Sequence, residues 1–195
     1  MADGPASDAA VIAASLANPE TFGVIYDRHF SAVFGYLGRA VRRDTALDLA
    51  AEVFVRAFGS RSRFRSEYGS ARPWLMGIAA NLLAGHFRGR ARERRAFSRA
   101  VGHIDQLQHS LENEAISRLH AEAHREAIAA AMATLRTEER SVVSLFALGG
   151  LSYAEIALAL GIPEGTVRSR LSRARRKLAS LLKDAQPTGS GHEQS

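Results

Sequence analysis

The stretch LSYAEIALALGIPEGTVRSRLSRARRKL, Leu151 to Leu178, decides the fold. Ser152 and Glu155 have the spacing of a capping box, which predicts a helix from Tyr153. Ile156, Ala157 and Leu160 give that short helix one apolar face. Gly161 supplies the positive φ that ends a helix, and Pro163 suits the start of the next, where its missing N–H costs nothing. From about Glu164, Val167, Leu171, Ala174 and Leu178 fall at i, i+4, i+7 and i+11, a single buried stripe. A short helix, a tight turn with Gly and a second helix make a helix-turn-helix.

With that stripe inward, Arg168, Ser169, Ser172, Arg173 and Arg176 point away from the core. Arg170, Arg175 and Lys177 add to the charge, and no acid occurs between Glu164 and Asp184. Solvated helix faces usually mix signs, and this one does not. A helix fits the major groove of B-DNA. There Arg bonds guanine O6 and N7, Ser bonds a base edge or phosphate, and further cations release phosphate counterions. Arg168 and Ser169, in the first turns, are expected at base edges. Arg175 and Lys177, off the outward centre, are expected at phosphates.

Working outward, the chain has 195 residues, a net charge of +6 and a sequence pI of about 10.4, with the positive charge clustered. That favours a polyanionic partner over an acidic small substrate. The absence of cysteine excludes disulfides, thiolate zinc sites and cysteine nucleophiles, and fits a reducing cytoplasm. No run approaches the roughly 18 apolar residues of a membrane span, so no membrane insertion is expected. The first residues lack the basic and apolar regions of a secretory signal. Strand-like alternation is almost absent, so an all-α chain is expected: two small helical domains joined by a flexible linker.

The expected order is a tail and short helix (1–19), a first domain (20–95), a polar linker (96–122), a second domain (123–183) and a disordered tail (184–195). Asp8 is expected to cap a helix to Leu16, which Asn18-Pro19 breaks. A helix over Glu20–Arg42 carries Phe22, Ile25, Tyr26, Phe30, Val33, Phe34 and Leu37 inward. The next, from Asp44 or Thr45 to Phe58, is read with Leu47, Ala50, Ala51, Phe54 and Phe58 inward. Asp48 and Glu52 lie on another side, where they could pair with nearby Arg or form an acidic docking spot; solvation is the preferred reading. Gly59–Arg72 reads as a basic loop with Phe64 and Tyr68 interleaved, a combination that suits single-stranded nucleic acid. A helix from Pro73-Trp74 has an inner stripe of Trp74, Leu75, Ile78, Leu82 and Leu83 and a polar stripe of Asn81, Gly85, Arg88 and Arg92. His120 and His124 are too few for a closed metal site. Ile128, Met132 and Leu135 belong to one helix. Thr137 can cap the next, with Val142, Val143, Leu145, Phe146 and Leu148 inward and Gly149-Gly150 at its end. There is no phosphate loop, catalytic triad or carboxylate cluster. No enzyme activity, cofactor or metal is expected.

The block ERSVVSLFALGGLSYAEIALALGIPEGTVRSRLSRARRKL closely resembles region four of small bacterial sigma factors of the extracytoplasmic-function (ECF) class, in the sigma-70 family. FGVIYDRHF, DLAAEVFVRAF and RPWLMGIAANLLAGHFRGRARERR resemble their region two. The resemblance implies a transcription initiation factor that binds the clamp and flap of core RNA polymerase and directs it to promoters. It implies −35 duplex reading by Arg168, Ser169, Ser172, Arg173 and Arg176, with Tyr153 from the preceding helix. It implies that Phe64, Ser70, Ala71, Arg72, Trp74, Asn81 and Arg88 hold the single-stranded −10 element. Asp48, Leu49, Glu52 and Phe54 would dock on core polymerase. An anti-sigma protein wedged between the domains, and a nucleoid-associated place in the cytoplasm, are implied as well. Gly77, Gly85 and Gly89 are expected to weaken the −10 helix by about 1 kcal/mol each relative to Ala. The rival reading is a helix-turn-helix regulator that does not bind core polymerase, which leaves the basic, aromatic loop without a use.

Overall fold

The computed structural model describes residues 6–101 and 131–184, and helix and irregular chain account for all of them. Helix α1 (Asp8–Ala17) starts at Ser7, whose Oγ accepts the Ala10 N–H at 3.2 Å. Ser7, not Asp8, is therefore the cap. Asn18 is extended (φ −120°, ψ 97°), as a residue before Pro must be, and a 3₁₀ turn at Pro19–Phe22 leads into α2 (Gly23–Gly38). Helix α2 buries Ile25, Val33, Tyr36 and Leu37.

Helix α3 (Arg43–Ser60) buries Ala46, Ala50, Val53, Phe54 and Ala57. The expected inward set is corrected: Leu47 is 41% and Phe58 37% exposed, and Ala51 is exposed. The small residues Ala46, Ala50 and Ala57 form the contact face, because they let α3 lie close against its neighbours. Two 3₁₀ turns, Arg61–Arg63 and Ser66–Tyr68, occupy the loop before α4 (Arg72–Val101). Helix α4 thus continues past residue 95, into the first part of the expected linker.

The C-terminal helices are α5 (Thr137–Ala147), α6 (Tyr153–Leu160) and α7 (Glu164–Asp184), preceded by helical residues 131–134. The Arg136 N–H donates to the Glu139 carboxylate at 3.1 Å, which fixes the start of α5. Phe146 is exposed, against expectation, and packs beside Tyr153 at 5.7 Å. His120, His124, Ile128 and most of the expected linker and tail lie outside the described residues.

Helix α4 is buried on two sides. One side meets α2 and α3; the other meets α5 and α6. The second side is a small-residue stripe, Gly77, Ala80 and Ala84, all buried. At Gly77 a Cβ would stand 2.2 Å from the Ala159 carbonyl oxygen, so glycine is required for α6 to approach so closely. Polar contacts fasten the same interface. The Tyr36 hydroxyl is 2.9 Å from Ser144 Oγ. Ser144 donates its own hydrogen to the Ser141 carbonyl (3.0 Å), so Tyr36 is the donor. Burial pushes the Tyr36 phenol up to about 12. Arg39 Nη1 donates to the Leu148 carbonyl at 2.9 Å, and Arg72 Nη2 to the Gly149 carbonyl at 2.7 Å. Two arginines of the N-terminal half thus satisfy carbonyls at the C-terminal end of α5, where a helix dipole favours cations.

Candidate nucleic-acid interface

The helix-turn-helix forms from local signals. Ser152 Oγ accepts the Glu155 N–H at 3.2 Å, and Glu155 Oε2 accepts the Ser152 N–H at 2.8 Å. Gly161 closes α6 in the left-handed region (φ 63°, ψ 38°). The Pro163 carbonyl accepts the first N–H groups of α7, from Thr166 and Val167. Val167, Leu171 and Ala174 are buried, and Leu178 is half-buried. Burying that stripe turns Arg168, Ser169, Ser172, Arg173 and Arg176 to solvent on one continuous face.

Three of these cations or their neighbours are oriented by partners. Arg168 Nη2 lies 3.2 Å from Glu164 Oε1, one turn earlier. Arg173 Nε is 3.8 Å from the Glu139 carboxylate, which is itself buried at the start of α5. Arg175 lies over the Phe146 ring at 5.4 Å. Lys177 is a correction: its Nζ donates to the Thr134 carbonyl, so it ties α7 to the helical residues 131–134 rather than standing free for a phosphate. Tyr153 is half-buried beside Phe146.

The second cluster lies on the loop before α4. Phe64 packs edge-on to Trp74 at 5.2 Å and beside Tyr68 at 5.5 Å, and all three rings are half-buried. Arg63 and Arg65 flank them, exposed. Asn81 and Arg88 are exposed on α4, and Ser70 is half-buried. Three residues expected at the −10 strand are engaged elsewhere, among them Ser70, whose Oγ donates to Asp8 Oδ2 at 3.1 Å. Ala71 is fully buried and its N–H donates to Asp8 Oδ2 at 2.8 Å, so its side chain cannot touch a base. The Arg72 guanidinium is turned onto α5 and α6, to the Gly149 carbonyl and to Glu155 at 3.5 Å.

Of the expected docking residues, Asp48 is exposed, and Leu49 and Glu52 are half-buried. Glu52 accepts from Arg56 at 2.7 Å. Phe54 is a correction: it is 6% exposed and packs on Tyr26 at 4.8 Å, supporting the helix from inside. The outer face carries instead Leu47, Ala51 and Val55, the last 65% exposed.

Sequence reasoning reads Asp8 only as a helix cap and misses its place at the loop before α4. It is 8% exposed and joins four donors: the Ala71 N–H, Ser70 Oγ (3.1 Å), Arg28 Nη1 (3.0 Å) and His29 Nε2 (2.7 Å). Burial raises its pKa, but the Ala71 N–H, Arg28 and His29 together outweigh that and hold it at about 2. Its partners lie too far along the chain for any local pattern to reveal them. Among the described residues no group of His, Cys, Asp and Glu could hold a metal, and no helix is long and apolar enough to cross a membrane.

The sigma-70 region 2 family model matches residues 25–93, and the sigma-70 region 4 model matches residues 125–178. The ECF RNA polymerase sigma factor SigC of Mycobacterium tuberculosis is 39% identical over 145 residues, 73% of this chain and 71% of that protein. SigL, an ECF RNA polymerase sigma factor of the same species, is 32% identical over 179 residues, 90% of this chain and 97% of its own. Among solved structures, the sigma factor RpoE in complex with the anti-sigma factor NepR, from Bartonella quintana, is similar with a TM-score of 0.53 and 25% identity, covering 86% of this chain and 99% of that one. With both sigma-70 regions present in order, flanking a basic helix-turn-helix face and an aromatic, basic loop, the chain belongs to the ECF sigma factors, which direct transcription initiation by RNA polymerase.

Proposed function

We propose that this sigma factor reads the −35 duplex with the outer face of α7, holds the single-stranded −10 element on the loop before α4, and docks on core polymerase through the outer face of α3. Residues 20–95 and 123–183 then act as two functional units. The observation that carries the reading is the α7 face, where three arginines and two serines are exposed along a helix whose opposite stripe is buried. Such a face supplies base-edge donors and counterion release together. Arg168, Ser169, Ser172 and Arg173 are the base readers, with Arg176 and Tyr153 at the margin.

For the −10 element, the half-buried rings of Phe64 and Trp74 offer stacking surface, Arg88 meets phosphate, and Asn81 is the base-edge amide on the exposed face of α4. For docking, Leu47 and Val55 flank Asp48 and Glu52, and this mixed apolar and acidic face suits a basic, amphipathic helix of the polymerase clamp. The protein works by binding alone, within the cytoplasm, on nucleoid DNA. The Bartonella quintana structure holds its sigma factor with an anti-sigma factor, which supports an anti-sigma partner for this chain too. The test is run-off transcription by core polymerase over a genomic promoter pool, with wild type and Asn81→Ala. The expected result is promoter-specific initiation and permanganate-reactive −10 thymines, both reduced by the substitution while core binding is kept. Equal thymine reactivity with the two proteins would show that Asn81 does not read the strand.

A further inference from the structure

Helix α1 touches neither α5, α6 nor α7 through any bond described above, and its sequence lacks the aromatic and basic character of the loop. Yet both of its ends are bonded to the two ends of that loop. At its start, Asp8 accepts from Ser70 Oγ and the Ala71 N–H, immediately before α4. At its far end, the Ser15 carbonyl accepts from Arg61 Nε at 3.3 Å, immediately after α3. Arg61 also donates to the Phe58 carbonyl at 2.6 Å and lies 3.8 Å over the Phe58 ring, so its guanidinium is held from both sides. Between these anchors, Val11, Ile12 and Ser15 are buried, so the helix cannot shift as a unit without breaking core contacts.

We propose that α1 is a splint across the mouth of the Arg61–Ala71 loop, and that Asp8 is a positioning residue for the −10 strand. This rests on the assignment of that loop to the −10 element. The physical reason is pre-organisation. The loop has only two 3₁₀ turns of its own, and Gly69 sits at φ +64° just before the anchor. Left to itself such a segment would sample many conformations, and ordering it on DNA would cost binding free energy. Fixing Ser70 and Ala71 fixes the direction in which α4 starts, and so the position of Trp74 one turn on. Arg28 is bonded to Asp8 and to the Ala6 carbonyl, and His29 completes the set, so the carboxylate is itself held in place by α2.

The geometry separates positioning from plain stability. Oδ2 serves Ala71, Ser70 and His29, whereas Oδ1 serves Arg28. Asp8→Asn keeps a carbonyl oxygen for the loop and loses the ion pair; Asp8→Ala loses both. The probe is a single-stranded DNA oligonucleotide selected from a random pool by wild-type protein bound to core polymerase, with a selected duplex as control. All binding is measured well below the melting temperature of each full-length variant. Asp8→Ala should weaken single-strand binding about fivefold or more and speed hydrogen exchange of the Ala71 amide, while duplex binding stays within about twofold. Asp8→Asn should restore single-strand binding although its melting temperature stays lowered. Wild-type single-strand affinity in Asp8→Ala, or an equal loss in Asp8→Asn and Asp8→Ala, overturns the proposal. Trp74→Ala and Asn81→Ala separate the two failures. If they weaken single-strand binding and Asp8→Ala does not, the splint is wrong and the loop assignment stands. If none of the variants matters, or no single strand can be selected, the loop assignment falls and the splint falls with it.

Discussion

Gly77→Ala is the sharpest perturbation of the contact between the two halves. The added Cβ would lie 2.2 Å from the Ala159 carbonyl oxygen and 3.0 Å from its carbon, where ordinary contacts lie at 3.4–4 Å. Both neighbours are backbone atoms within helix α6, so no side chain can swing aside. Helices α4 and α6 must part by about 1 Å, which strains the Arg72 bond to Gly149 and the Tyr36 bond to Ser144. Overpacking of this kind costs about 1–3 kcal/mol. That shifts the balance between packed and separated halves roughly five- to hundredfold towards separation. The helix itself gains, since Ala is better than Gly by about 1 kcal/mol in a helix interior. Gly89→Ala is the control: nothing lies within 4 Å of its added Cβ, so it brings the helix gain without the clash. The chain has no cysteine, so Ser62→Cys and Ser180→Cys, both at exposed positions, can carry a fluorescence pair. Energy transfer should fall in Gly77→Ala and stay unchanged in Gly89→Ala. Equal transfer in wild type and Gly77→Ala would refute the reasoning, because the close approach would then not hold the halves together.

Other substitutions probe the sites one at a time. Arg168→Ala should cost about 1–3 kcal/mol on a cognate −35 duplex and relax base preference, whereas Arg176→Ala should weaken all duplexes alike and lower the salt slope by roughly one. Filter binding to cognate and scrambled duplexes across a salt series checks this, and an equal loss on both for Arg168→Ala would make it a phosphate anchor. Val55→Lys should weaken binding to core polymerase in gel filtration without changing duplex affinity; unchanged core binding would move the docking face off α3. Asp8 gives a pH dependence. Its carboxyl lies at about 2 in the folded chain against an ordinary 3.8. A lowered folded value stabilises above the unfolded one, so about 2 kcal/mol is present above pH 4 and lost as pH falls towards 2. Urea midpoints of wild type and Asp8→Asn should therefore differ at pH 5 and converge near pH 2; a gap that does not narrow would count against the ion pair.

How much of this was legible in the sequence depends on how local each signal is. The helix-turn-helix reads correctly because its cap, its αL glycine and its apolar stripe all lie within one short segment. Helix α3 buries Ala50 and Phe54 as the pattern predicts, but its face is rotated away from Leu47, Ala51 and Phe58 towards Ala46, Val53 and Ala57. Leu47 and Phe58 look like core, whereas three of the five buried residues of α3 are alanines, which carry little hydrophobic signal. Helix α4 hides its second face for the same reason: Gly77, Ala80 and Ala84 carry little hydrophobic signal, yet they form the seat for the C-terminal helices. Gly77 was expected only to cost stability, yet it is the residue that permits the contact, while Gly89 meets open space. Asp8 and Arg72 act across 63 and 77 residues of chain, and no periodicity reports such pairs.

On the proposed −10 and −35 assignments, the packed arrangement would have to open on a promoter, and Arg72 gives a way to test it. Elements at −10 and −35 are separated by about 25 base pairs, or about 85 Å of helix axis. If the two halves read those elements as proposed, halves that touch at Gly77 and Ala159 would not meet both at once. Residues 102–130 lie between them in the sequence. On separation, Arg72 leaves the Gly149 carbonyl and Glu155 and becomes available at the start of α4, beside Trp74 and the loop. Arg39 and Tyr36, bonded to Leu148 and Ser144, lie at the C-terminal end of α2, away from that loop in the sequence. On the proposed −10 assignment, the guanidinium that caps α5 in the packed chain would become a cation for the strand once the halves part. An Arg72→Lys substitution, which cannot make the same forked contact, should loosen the closed form while keeping a positive charge for DNA. Loosening without loss of single-strand affinity would separate the two roles, and a parallel loss of both would show that the fork itself is needed on DNA.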